Sequence, residues 1–162
     1  MKLTTFAVVF VSILLLAPAS WAGQGDTELQ LQGALIISTG DFSDSGTASA
    51  SYGWFWTEEQ EIGVKTSTFF NSDGDLAGSL GPFYRYNFLI DDEMVPYVGG
   101  AATFGFGDSF VGDANLELEA GSRWYLDRNI SFSVAAQTYY DIDQSDLADF
   151  VVIQFGFSYF WD

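Results

Sequence analysis

Residues 150–161 read FVVIQFGFSYFW. On one parity stand Val151, Ile153, Phe155, Phe157, Tyr159 and Trp161, all large and apolar, while the other carries Gln154 and Gly156. Strict alternation at period two describes a strand whose successive side chains point to opposite faces. Here the two faces are unlike. One is greasy along its whole length, and the other admits an amide and a glycine.

Working back toward the N-terminus, the same grammar recurs in seven more runs separated by turn residues: Glu28–Ser38, Ala48–Trp56, Glu61–Phe70, Leu76–Phe88, Val95–Phe106, Asn115–Tyr125 and Ile130–Tyr140. Together with Phe150–Trp161 they make eight strands, each about as long as the roughly 9–11 residues that a tilted strand needs to cross hydrocarbon. The mature region shows no amphipathic helical period. The count is even, as single-chain bacterial membrane barrels require.

Charge placement is the sharper test. The apolar parity carries Leu29, Leu31, Leu35, Ile37, Tyr52, Trp54, Trp56, Ile62, Val64, Leu80, Tyr84, Tyr86 and Phe88, then Val98, Phe104, Phe106, Leu116, Leu118, Trp124, Ile130, Phe132 and Val134, and no charged residue in any strand. Arg or Lys there would cost roughly 2–4 kcal/mol near the midplane of a bilayer. The opposite parity carries Glu28, Gln30, Gln32, Glu61, Lys65, Arg85, Asn87, Glu117, Glu119, Arg123, Gln137 and Gln154. Buried charges need partners. The expectation is a lumen filled by an ionic network of Glu28, Glu61, Lys65, Arg85, Glu117, Glu119 and Arg123, with the arginines bridging the glutamates.

The other end of the chain bears on compartment. Lys2, the apolar run Phe6–Leu16 and the small residues Ser20 and Ala22 around Trp21 form a secretory signal pattern with cleavage after Ala22. The alternative, a membrane anchor, needs roughly 20 apolar residues and the run is shorter. The domain expectation is therefore a signal peptide over 1–22 and a barrel over 23–162. With no cysteine among 162 residues, an exported domain gains nothing from disulfides. Aromatics at 18%, seventeen glycines and a net charge of −17 are unusual for a water-soluble core.

Loop lengths orient the scheme. Thr57–Gln60, Leu89–Met94 and Leu126–Asn129 are short and read as periplasmic turns; Thr39–Thr47, Asn71–Asp75, Gly107–Ala114 and Asp141–Asp149 read as external loops. Trp54, Trp56, Tyr86 and Trp124, with Phe88, Tyr159 and Trp161, then gather at the periplasmic end as an aromatic belt, opposite Phe70, Phe104, Phe106 and Tyr140. Pro96 opens a strand harmlessly, but Pro82 lies mid-strand and must delete a ladder hydrogen bond, so a bulge or local break is expected at Gly81–Pro82.

GPFYRYNF (Gly81–Phe88), VPYVGGAATFGFG (Val95–Gly107), LELEAGSRWYL (Leu116–Leu126) and the C-terminal strand resemble the superfamily of small outer-membrane β-barrel domains, which includes OmpX-like, OmpW-like and OmpA-type eight-stranded barrels. Gln154, Gly156, Tyr159 and Trp161 resemble the C-terminal assembly signal of such proteins, with Asp162 one residue beyond the pattern. The resemblance implies an all-β, antiparallel, up-and-down transmembrane barrel in the cell outer membrane, inserted by barrel-assembly machinery, monomeric, and in contact with outer-membrane lipid and lipopolysaccharide. Its members include anchors, adhesins, stress-induced proteins, solute or hydrophobe conduits, and lipid A enzymes.

The residues narrow the activity. With no histidine, the Ser, His and acid triad of the lipid A enzymes cannot be assembled. Glu117 and Glu119 beside Arg123 read as a salt-bridged plug in preference to a glycosidase-like acid pair. Asn71, Asp73 and Asp75 alternate like the start of a calcium loop, but Leu76 stands where its glycine belongs; Asp141, Asp143 and Asp146 form a second acidic cluster. Solvated turns account for both. No metal, cofactor or catalytic residue is expected, and the negative charge excludes nucleic acid as a partner. Three functions remain open: a non-enzymatic structural or surface-interaction barrel; a narrow conduit, for which Ser49, Ser51, Ala101 and Ser133 leave room; and an exported soluble ligand-binding barrel, which the tryptophan-rich outer parity disfavours.

Overall fold

The computed structural model describes residues 22–36, 45–71, 76–90, 93–107, 114–142, 146–147 and 151–162. Eight long strands account for most of them: β1 Thr27–Ile36, β2 Ser45–Phe55, β3 Gln60–Asn71, β4 Leu76–Asn87, β5 Met94–Gly107, β6 Ala114–Asp127, β7 Ile130–Asp141 and β8 Val152–Trp161. Each pairs antiparallel with its chain neighbour, and β8 also pairs with β1, which closes the sheet. The dipeptide Asp146–Leu147 adds a short pairing at the far end of β7. Closure leaves no free edge and satisfies the backbone without water, the condition for a sheet in lipid.

The registers set the barrel's shape. Thr27 is level with Trp54, Ile62, Tyr84, Gly100, Leu118 and Thr138 in turn. Continuing through the β7–β8 and β8–β1 registers, in which Gln137 meets Val152 and Gly33 meets Phe155, returns the thread to β1 ten residues further along. Eight strands with this stagger tilt by roughly 40° and enclose a space just wide enough for side chains.

Burial is the reverse of that in a water-soluble protein. Leu31 is 57% exposed and Phe155 54%, whereas Glu61 and Arg123 are at 0%. Every described member of the apolar parity faces outward, and the charged parity fills the interior. Among the described residues no helix is long and apolar enough to cross a membrane. The outward rings lean on one another: Trp124, Phe132, Phe155 and Phe157 form a chain of contacts with centroids 5.3–6.5 Å apart.

Some boundaries and irregularities differ from the sequence reading. β2 begins at Ser45, ahead of Ala48, because barrel closure extends pairing into SGT, which has no apolar alternation of its own. No bulge occurs at Gly81–Pro82. The β3–β4 register runs straight through Pro82 opposite Val64, and the β4–β5 register is the same on either side of a two-residue gap between Leu80 and Phe83. A single missing donor explains that gap, since Pro82 has no N–H to offer across to Ala102. The register shift falls instead between Tyr125 and Asp127, beside the tight turn into β7.

Candidate functional site: the lumen

At the terminal end of the barrel, marked by Ala22 and Asp162, the lumen is floored by apolar side chains. Phe55 from β2, Val95 from β5, Tyr125 from β6 and Phe160 from β8 pack together with Ala22. Phe160 lies 6.2 Å from Phe55 and 5.4 Å from Tyr125, ring centre to ring centre. The sequence reading missed this floor. Its signal was the presence of Phe55, Val95, Tyr125 and Phe160 on the inward parity.

Arg123 stands on the floor, fully buried. Its Nη2 donates to both oxygens of Glu28, at 2.9 and 2.7 Å, and Nη1 reaches Asn87 at 3.5 Å. The guanidinium sits 5.3 Å above the Phe160 ring and 5.6 Å from Tyr97, within cation–π range. Arg85 lies next along the lumen. It donates to Glu61 at 2.9 Å, Gln30 at 2.7 Å, and Glu28 and Glu119 at 3.4 Å each, with its own face 4.7 Å from Tyr97. Tyr97 thus lies within cation–π range of both guanidiniums, a role the sequence did not disclose.

Lys65 closes the next level, 3.0 Å from Glu117 and 3.3 Å from Glu119. Glu117 therefore has Lys65 as its ion-pair partner, and neither arginine. It is held further by Gln137 at 2.6 Å, Ser79 at 3.2 Å and Thr103 at 3.3 Å. All seven charged residues singled out from the sequence thus meet in one network. Beside Lys65, Arg85, Glu117 and Glu119 a small cavity, walled by Gly99 and Ala101, has room for about one water molecule.

Toward the other end the lining turns to hydroxyls and amides. Ser51 donates to Gln30 and Gln30 to Ser133; Ser49 reaches Gln32, and Gln154 reaches Thr47, at 3.3–3.5 Å. Ala101 and these serines are small and buried. Several buried polar atoms here, among them Gln32 Nε2, Ser67 Oγ and Gln154 Oε1, lack a protein partner, which marks them as places for ordered water.

Of the residues read as an assembly signal, Gln154 and Gly156 face the lumen, and Tyr159 and Trp161 stack outside with centroids 5.8 Å apart. Trp54, Trp56, Tyr86 and Trp124 all lie at the terminal end, facing out or half-buried. Trp54 Nε1 also donates to Gly25 O at 3.2 Å. The side chains of Asn71, Asp73, Asp75, Asp141, Asp143 and Asp146 lie outside the described residues. Among those that are described, no three acidic, histidine or cysteine side chains are placed to hold a metal.

The fold is that of the small eight-stranded outer-membrane barrels. The N-terminal β-barrel domain of Pseudomonas aeruginosa OprF superposes with a TM-score of 0.66 at 13% identity, over 86% of this chain and 100% of that one. Neisserial surface protein A gives 0.59 at 16% identity, over 84% and 99%. A de novo designed transmembrane β-barrel gives 0.62 at 10% identity, over 88% and 100%. No family model and no curated protein matches the sequence. The likeness is carried by architecture, since any sequence that keeps the outward apolar parity and the closing registers builds the same wall.

Proposed function

We propose that this chain is a non-enzymatic integral protein of the cell outer membrane, acting as a structural or surface-interaction barrel whose lumen is closed by a salt-bridged plug. One observation carries the reading. Three cations and four carboxylates, each nine-tenths or more buried, cross-link β1, β3, β4 and β6 directly above an aromatic floor. A channel would need a wetted path, and at the level of Lys65, Arg85, Glu117 and Glu119 the cavity has room for about one water.

Export with cleavage after Ala22 belongs to the same proposal. Gly23 N already lies 2.7 Å from Asp26 Oδ2, so the new α-ammonium would meet a carboxylate. The longer connections then face outward with lipopolysaccharide around them, the turns 56–59, 88–93 and 128–129 face the periplasm, and barrel-assembly machinery reads the last strand. The protein acts as a monomer.

A second reading, a narrow conduit for small solutes or hydrophobic compounds, draws on the small buried lumen residues Ser49, Ser51, Ala101 and Ser133. Single-channel recording in a planar bilayer separates the two. Folded wild-type protein is expected to be silent. A steady wild-type conductance that changes in the Arg85→Ala, Arg123→Ala variant would overturn the plug and establish the conduit.

A further inference from the structure

The described part of the lumen contains one carboxylate too many. Glu28, Glu61, Glu117 and Glu119 face only Lys65, Arg85 and Arg123. Glu117 and Glu119 are met by Lys65, and Glu119 also by Arg85. Of the eight oxygens on these four carboxyls only Glu61 Oε1 has no hydrogen-bond donor, which puts the surplus on the pair that Glu61 forms with Glu28 at the bottom of the network.

There the geometry is specific. Glu28 Oε2 and Glu61 Oε2 lie on the same two donors: Arg85 Nη1, at 3.4 and 2.9 Å, and Arg123 Nη2, at 2.7 and 3.6 Å. Sharing both donors brings the two carboxyls side by side. Gly53 on β2 permits the approach. Glu61 leans from β3 across β2, and its Oε1 occupies the space that a Cβ on residue 53 would take. That oxygen accepts no hydrogen bond. The ionisable groups facing the pair are Arg85 from β4, Tyr97 from β5, and Arg123, Tyr125 and Glu119 from β6; β8 brings Ser158 and Phe160, and β2 brings Phe55. None adds a fourth positive charge.

We infer that Glu28 and Glu61 form a proton-binding dyad that holds one exchangeable proton in the folded barrel at neutral pH. An uncompensated charge sealed between protein and lipid is expensive, and two carboxylates in contact do not both ionise readily. A shared proton removes the surplus charge and supplies the hydrogen bond between the two acids. The dyad titrates as a unit, so the proton belongs to the pair and to neither residue alone. The inference rests on the plug reading of the lumen and adds to it a binding site for the smallest cation.

The test uses the refolded barrel in micelles, with carbon-13 at the glutamate carboxyl carbons, followed by NMR from mildly acidic to alkaline pH. One protonated-carboxyl signal is expected at neutral pH, absent from Glu61→Gln. Because glutamine mimics the protonated acid, that variant should change the unfolding constant in urea by less than about tenfold, where breaking a buried ion pair changes it by roughly a hundredfold or more. Fully ionised carboxyls in the folded wild type overturn the dyad, whether both acids are charged or a metal cation replaces the proton. So does a larger loss in Glu61→Gln. Ionised carboxyls with a silent bilayer recording would defeat the proton and leave the plug standing.

Discussion

Replacing Arg123 by leucine removes the cation on which the floor and the ionic network meet. Arg123 is fully buried, gives two hydrogen bonds to Glu28 at 2.7 and 2.9 Å, and lies 5.3 Å over the Phe160 ring. Its loss leaves four carboxylates facing two cations, and Glu28 keeps only the longer contact to Arg85 at 3.4 Å. Breaking a buried pair by deleting one partner costs about 3–5 kcal/mol, because the remaining charge stays buried. Leucine packs well against Phe55 and Phe160 and recovers about 1 kcal/mol of that. The expected loss is about 3 kcal/mol, or roughly a hundredfold in the unfolding constant. Urea titration in micelles, read by tryptophan fluorescence and by the gel mobility of the folded form, measures it. Adding Glu28→Gln should return about 1–2 kcal/mol, since the stranded charge is then gone. An unchanged urea midpoint for Arg123→Leu, or a double variant weaker than wild type by the full sum of the two single losses, would refute the argument that charge pairing holds the plug.

Two other substitutions probe the wall. Leu118→Arg places a charge on the outward face of β6, level with Gly100 and Thr138, and should cost roughly 2–4 kcal/mol in a bilayer. Leu118→Phe at the same site should be near neutral; equal folding yields in lipid vesicles for the two would contradict a lipid-facing surface. At the β4–β5 seam, a Cβ on residue 81 would collide with the carbonyl of Ala102 and approach Thr103 Cα at 2.8 Å. Gly81→Ala should therefore destabilise by about 1–3 kcal/mol. Pro82→Ala, which restores a ladder donor, should stabilise by about 1 kcal/mol. Urea midpoints that move in the same direction for the pair would sink this account of the seam.

The legible parts of the molecule were those set by local order. Alternation at period two assigned all eight strands and the face of every described strand residue singled out, from Leu29 and Glu28 in β1 to Trp161 in β8, because a strand's side-chain direction depends only on counting along it. Strand ends were less legible. Ser45–Thr47 carries no apolar alternation, and it is strand because Phe69, Phe70 and Asn71 stand opposite with backbone groups to satisfy. Pro82 announced a lost hydrogen bond but not its consequence, since whether a chain bulges or merely skips a bond depends on the neighbour strand holding its register.

Sequence alone determined that there is a wall, which side of it meets lipid, and which seven charges lie within. Tertiary structure decided who meets whom. That Lys65 answers Glu117, that Arg85 reaches Gln30 and Glu119, that Tyr97 meets two guanidiniums, and that Glu61 crosses Gly53 to reach Glu28 all follow from the ten-residue stagger with which the barrel closes. Stagger is a property of the whole ring of registers. No single strand encodes it, so the faces could be read from the order of residues and the partners could not.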